Sequence, residues 1–388
     1  MTKKIQSNFN PASVEGWLSR ELAAGRLEGG ALEVHHTGKT VYTNEFGTSN
    51  SYGEAVRRDT MFWIASMTKP VVSVAAMRLI ERDELSLSDW VSDFVPGFGE
   101  HGVLTSSGDL EAAKRPPTIL DLMTHTSGVT YDLFGNEAIH RRYAQAQVFD
   151  FRSNNVKIAE KLANLPLLYQ PGTVFEYGMS TDMLGRVIEV LTGLPLDDAL
   201  QDLVLGPLGM NDTSFLPDAK KIADIPPSAI RDNIAPLISP EQTWWSGGGG
   251  LYSTVTDYMR FARMLLHSGK LDGIRVLRPQ TVALMRQDHL PENVKYGNYT
   301  AALGITAPWT ENGLGFGLGF AVRTKCLDHV PGGMGEYLWP GVSGANFWTD
   351  PENDLIVVFL THAPDHRSDH RIGLRNAVYA GLNWGNRT

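Results

Sequence analysis

Ser66-Met67-Thr68-Lys69 sets a hydroxyl and an amine three residues apart. On a helix, positions i and i+3 share a face, so the Lys69 amine reaches the Ser66 oxygen. A serine hydroxyl is a weak nucleophile at neutral pH and needs an adjacent base. A lysine becomes that base where desolvation or nearby positive charge disfavours the ammonium form. The pair therefore has the chemistry of an activated Ser-x-x-Lys nucleophile, and the tetrapeptide occurs nowhere else in the chain. A further group must carry the proton to the leaving oxygen, and a tyrosine beside a cation can do so. Tyr177 closes the loop 171–176 and leads into a helix starting near Ser180. By itself it reads equally well as a core tyrosine with a backbone partner. Tyr296, in an Asn/Gly loop, competes for the same role but has no helix to fix it.

The surrounding elements are those a nucleophile needs. Residues 62–65 form a short apolar run, and residues 70–80 are apolar almost all round, which predicts a buried helix. Pro70 is tolerated only in a first turn, so the helix starts close to Ser66. The hydroxyl then sits at a helix N-terminus, where free N–H groups favour developing negative charge. Residues 14–27 predict an opening amphipathic helix, and residues 31–36 and 40–42 a hairpin. From 85 to 235 the pattern is helical with no strand pairs; Thr118 is placed as an N-cap, and residues 180–191 as a helix ended by Thr192-Gly193. Residues 315–324, 337–339, 342–348 and 355–360 read as an antiparallel meander before a last helix at 368–382.

Strands at both ends and helices between them predict an α+β fold. Residues 1–84 and 236–388 form a discontinuous sheet domain, residues 85–235 a mainly helical one, and Ser66 lies at the seam. Residues 247–250 are four consecutive glycines, which predicts a turn or a close backbone approach.

Composition narrows the function classes. With 42% hydrophobic and 20% charged residues among 388, the chain reads as an ordinary soluble globular protein. A formal charge of −9 argues against nucleic acid or an anionic membrane as partner. Cys326 is the single cysteine, so no internal disulfide forms and a reducing compartment fits. Residues 1–8 lack the apolar core of a secretory signal, and no apolar run reaches membrane-spanning length. These features predict a cytoplasmic protein; oligomeric state is not legible.

Phe62 to Lys69, Leu122-Met123-Thr124-His125-Thr126-Ser127-Gly128, Pro171 to Tyr177 and Gly247 to Thr254 together resemble the penicillin-recognising serine hydrolases. More narrowly they resemble the class C β-lactamase-like esterases, the family VIII carboxylesterases. The resemblance runs in family order over most of the chain. It implies an antiparallel sheet flanked by helices with an all-helical second domain. It also implies Ser66 as the acylated nucleophile, Lys69 and Tyr177 as the proton-handling pair, and an oxyanion hole from the N–H groups of Ser66 and Val342.

Two departures from the lactamase pattern bear on substrate. Met179 stands where an asparagine usually follows two residues after the tyrosine. Trp339-Pro340-Gly341-Val342 replaces the Lys-Thr-Gly edge strand, so the cation and hydroxyl that hold a substrate carboxylate are missing. His36-Thr37-Gly38 mimics that motif but lies on the wrong side of Ser66 in chain order. A neutral ester with an apolar portion therefore fits better, with Trp339 as an apolar wall, Gly341 and Met179 beside it, and Trp245, after Trp244, as a candidate acyl-pocket residue.

Other patterns point elsewhere. His362, His366 and His370 with Asp365 and Asp369 have helical spacing, but Arg367 and Arg371 would repel a metal ion. Residues 341–345 fall short of the Gly-x-Ser-x-Gly elbow because Ala345 replaces the last glycine. The expectation is a serine carboxylesterase acting on a small-molecule ester through a Ser66 acyl-enzyme, with no cofactor or metal. Alternatives are a β-lactamase or D-amino-acid peptidase, an amide hydrolase or an acyltransferase with the same acyl-enzyme, and, from another class, a catalytically silent ligand-binding relative.

Overall fold

The computed structural model describes residues 9–382 apart from 106, 133, 134, 136, 226–234 and 237–240. The reading of residues 1–8 lies outside the described residues. One seven-stranded antiparallel sheet organises the molecule. Its order is Leu314–Phe316, Ala321–Arg323, Tyr337–Leu338, Asn346–Asp350, Leu355–Thr361, Gly29–His36 and Lys39–Gly47. The two chain ends meet inside it: Gly30 pairs with Thr361 and His36 with Leu355. The strands Gly29–His36 and Lys39–Gly47 thus join the sheet across more than 300 residues of chain.

Both sheet faces are covered, so the central strands read as apolar runs rather than alternating ones. Every residue of Leu355–Thr361 and of Gly29–His36 is buried. On one face Trp17 of the helix Ala12–Ala23 meets Phe359 edge-on at 5.8 Å. That helix packs along the last one, Arg367–Gly381. On the other face Tyr258 of the helix Val255–Leu266 meets Phe347 at 5.0 Å.

The helix Thr68–Glu81 is buried on nearly every side and packs against Ser180–Thr192. Thr118 caps Ile119–Met123 by accepting from the Asp121 N–H, and Gly193 ends Ser180–Thr192 in the left-handed region. The expected helical stretch 85–235 is not free of strand pairs. Gly102–Leu104 pairs with Leu110–Ala112, and Val174–Phe175 pairs in parallel with Lys295–Tyr296. Both are too short to show a sequence period. Among the described residues no helix is long and apolar enough to cross a membrane.

A buried ionic cluster ties the outer strands to the last helix. Glu336 accepts from Arg375 at 2.7 and 2.9 Å, from Arg323 at 3.2 Å and from the Tyr379 hydroxyl at 3.0 Å. Burial opposes ionisation of Glu336, but the two guanidinium charges outweigh it and hold the carboxyl below its ordinary range. Removing one partner of such a cluster leaves charge buried and uncompensated. Glu336→Ala is therefore expected to lose about 3–5 kcal/mol of stability, read as a lower urea midpoint; an unchanged midpoint would contradict the role given to the cluster.

Candidate active site

Ser66 occupies the short 3-10 turn Ala65–Met67 that feeds the helix Thr68–Glu81. The turn is held from several directions. The Trp63 N–H donates to His362 Nε2 at 3.0 Å, and Trp63 Nε1–H to the Gly249 carbonyl at 2.7 Å. The Leu251 N–H donates to Thr68 Oγ1 at 3.1 Å, and the Tyr258 hydroxyl to the Met67 carbonyl at 2.9 Å. Ala65 sits in the left-handed region, with φ of 46°. That conformation costs a residue with a Cβ on the order of 1–3 kcal/mol and persists only where its surroundings over-determine it.

Lys69 is completely buried. Its Nζ lies 3.4 Å from Ser66 Oγ, and it donates to the Tyr131 hydroxyl at 3.0 Å and to the Gly248 carbonyl at 2.6 Å. The carbonyl is aimed by Asp182, which accepts from the Gly248 N–H at 3.1 Å and from Ser246 Oγ at 2.6 Å. Burial raises the Asp182 carboxyl above its ordinary range, and the charge of Lys69 and these hydrogen bonds act against that rise. The approach is so close that a Cβ on Gly248 would lie 2.3 Å from Asp182 Oδ2.

Tyr177 presents its ring to the amine, with Lys69 Nζ 4.6 Å from the ring centroid. Its hydroxyl accepts from Trp339 Nε1–H at 3.3 Å and is hydrogen-bonded to the Tyr131 hydroxyl. Tyr131 thus stands between the Tyr177 phenol and the lysine, a position that sequence reading missed. It follows the Thr126-Ser127-Gly128 turn as an apolar-looking tyrosine, and nothing local in the sequence sets it apart. Tyr299, also missed, stacks on Tyr177 at 5.9 Å, whereas the competing Tyr296 pairs with Phe175 and is exposed.

Gly341 brings a second backbone segment against the Ser66 turn: a Cβ there would lie 2.5 Å from the Ile64 carbonyl and 3.3 Å from Ala65 Cβ. Val342 follows, half-buried, as is Ser66. The Gly341 carbonyl accepts from Arg371 at 3.1 Å. Burial lowers the Arg371 guanidinium to about 9 and the charge of Arg367 adds to this, while Tyr177 and Tyr299 act against it. Arg371 is 8% exposed and supports this loop from behind. A cation therefore does stand near the site, though not on the edge strand.

The structure gives three expected pocket residues the following places. Met179 is fully buried, as the residue preceding the helix Ser180–Thr192. Trp339 is 1% exposed between Tyr177 and Phe316 and offers its indole N–H to the tyrosine rather than an open apolar wall. Trp245 is half-buried against Phe215 at 5.6 Å, while Trp244 lies in the core on Phe149 and Phe151. His125 is buried, and desolvation together with Lys69 keeps it well below the ordinary histidine range. Its Nδ1 accepts from the Gly178 N–H at 3.4 Å, steadying the tyrosine loop. The histidines near the last helix serve separate partners: His362 bridges the Trp63 N–H and the Asp224 carbonyl, and His370 faces Glu21. No group of three metal-binding side chains occurs among the described residues.

Adding a methyl group at Gly248 forces the Asp182 carboxylate or the lysine's acceptor to move. Gly248→Ala is expected to cost about 1–3 kcal/mol of stability, measured by urea unfolding; a neutral substitution would contradict the tight contact.

Comparison with known proteins identifies the family. The family model described as Beta-lactamase matches residues 14–381. Protein Rv1367c of Mycobacterium tuberculosis is 37% identical over 361 residues, covering 88% of each chain. Esterase EstB of Burkholderia gladioli is 29% identical and covers 95% of each. Among solved structures, EstCE1, described as a hydrolase with promiscuous acyltransferase activity, superposes with a TM-score of 0.80 at 27% identity, covering 95% of this chain and 98% of its own. A sheet joined by both chain ends, a Ser-x-x-Lys turn and a family match over nearly the whole length lead to one conclusion: the chain belongs to the Beta-lactamase family, among the penicillin-recognising serine hydrolases.

Proposed function

We propose that the protein is a serine carboxylesterase, similar to the family VIII enzymes, that forms an acyl-enzyme on Ser66. The observation that carries this reading is the amine of Lys69 3.4 Å from Ser66 Oγ. With two positions on its nitrogen directed to the Gly248 carbonyl and the Tyr131 hydroxyl, the third faces Ser66 Oγ, and the amine in its neutral form offers its lone pair there to the serine proton.

Ser66 Oγ attacks the ester carbonyl while its proton passes to Lys69. The N–H groups of Ser66 and Val342 receive the oxyanion; losing one such donor typically costs about 10²–10³ in rate. The proton then travels through Tyr131 and Tyr177 to the departing alkoxide, and water deacylates the enzyme by the reverse path. Trp339, by donating to the Tyr177 oxygen, favours the transient phenolate. Ester rather than lactam chemistry is supported by Trp339-Pro340-Gly341 in place of Lys-Thr-Gly and by relatives named as esterases. Acyl transfer to an alcohol is the second reading, favoured by the description of EstCE1. A cytoplasmic setting fits the single cysteine.

The test is turnover of p-nitrophenyl acetate and butyrate by the wild type and Ser66→Ala. Loss of nearly all turnover in the variant is expected, and equal rates would end the proposal; nitrocefin turnover faster than ester turnover would favour a lactamase instead. Tyr131→Phe breaks the link between the two phenols and the amine and is expected to lower kcat by about 10²-fold, with wild-type kcat removing Tyr131 from the relay.

A further inference from the structure

Glu176, next to the tyrosine of the relay, is 1% exposed. Its Oε1 accepts from Thr130 Oγ1 at 3.3 Å, and the backbone N–H of Tyr299 favours the carboxylate. Its Oε2 takes no regular hydrogen bond and lies against Gly297, where a Cβ would approach it to 1.6 Å. The three segments that meet at this carboxyl are 130–131, 176–177 and 297–299. Each contributes one tyrosine: Tyr131 on the lysine, Tyr177 over it, and Tyr299 stacked on Tyr177. We infer that Glu176 is a positioning residue whose buried carboxyl clamps the three tyrosine-bearing segments in register around Lys69. The inference rests on the acyl-enzyme reading of Ser66.

The clamp depends on protonation. Burial raises the Glu176 carboxyl to about 7, with the charge of Glu137 adding to the rise and the Thr130 and Tyr299 bonds opposing it. The other titratable groups facing it are the phenols of Tyr169, Tyr177 and Tyr299, and His125, whose carbonyl accepts from the Glu176 N–H and whose ring burial keeps neutral. No cation neutralises it among the contacts described. As a carboxylate, Glu176 is a charge-assisted acceptor at Oε1 for the Thr130 hydroxyl. A proton on the unpartnered Oε2 removes that charge and weakens the grip, so the rate should rise with pH through neutrality.

The experiment compares kcat and KM for p-nitrophenyl acetate between pH 5.5 and 8.5 in the wild type, Glu176→Ala and Glu176→Gln. Glu176→Ala is expected to lose between about tenfold and a hundredfold in kcat, with KM within about twofold of the wild type. Glu176→Gln, which keeps one acceptor oxygen, should fall between the two and lack the step near pH 7. Wild-type kcat in Glu176→Ala, or an undiminished step in Glu176→Gln, would overturn the inference. Should Glu176→Ala fail to fold, the pH profile of Glu176→Gln decides. A wild type without esterase turnover would instead overturn the reading of Ser66.

Discussion

The site depends on a buried amine surrounded by neutral acceptors. Lys69 has no exposure, and its polar neighbours are a serine hydroxyl, a tyrosine hydroxyl and a backbone carbonyl. Burying an amine is costly unless every hydrogen finds an acceptor, so each neighbour must be held in place. Much of the architecture around the seam supplies that hold. The helix Thr68–Glu81 fixes the lysine's root, Asp182 turns the Gly248 carbonyl inward, and the Thr126–Gly128 turn delivers Tyr131.

The same constraint accounts for the backbone. Ala65 accepts an unfavourable left-handed conformation because neighbouring groups grip Trp63, Met67 and Thr68. Gly341 lets a further backbone segment approach the turn to a distance that no side chain would allow, and Gly247 and Gly248 do the same against Thr181 and Asp182. Arg371 braces the Gly341 carbonyl, and one turn later Arg375 anchors the same helix through Glu336. The sheet, the last helix and the Ser66 turn are thus linked through buried contacts, which suits the proposed reaction, whose barrier would fall mainly through preorganised geometry.

How much of this the sequence disclosed follows the range of the interactions. Ser66 and Lys69 were legible because one helical turn brings them together, a local rule. The antiparallel sheet was legible in its apolar strands and turn residues, and the long helices in their periodicity and caps. Tyr131 was not, because its role arises from a contact across 62 residues that leaves no local mark. The place of Arg371 was not legible either, since its neighbours in sequence are charged while its side chain points inward to Gly341. Trp339 was legible in type but not in role: an indole reads as apolar surface until its N–H is seen on Tyr177. The short strand 102–104 belongs to a local hairpin and 174–175 is set by pairing with the distant 295–296, and both are too short to carry a period.

The central claim is that the amine at position 69 activates the oxygen at position 66. Covalent labelling with a fluorophosphonate, followed by intact mass and peptide mapping, addresses it without assuming any substrate. The account predicts a single adduct on Ser66 whose formation slows by orders of magnitude in Lys69→Met. An adduct at another residue, no adduct at all, or undiminished labelling of Lys69→Met would contradict it.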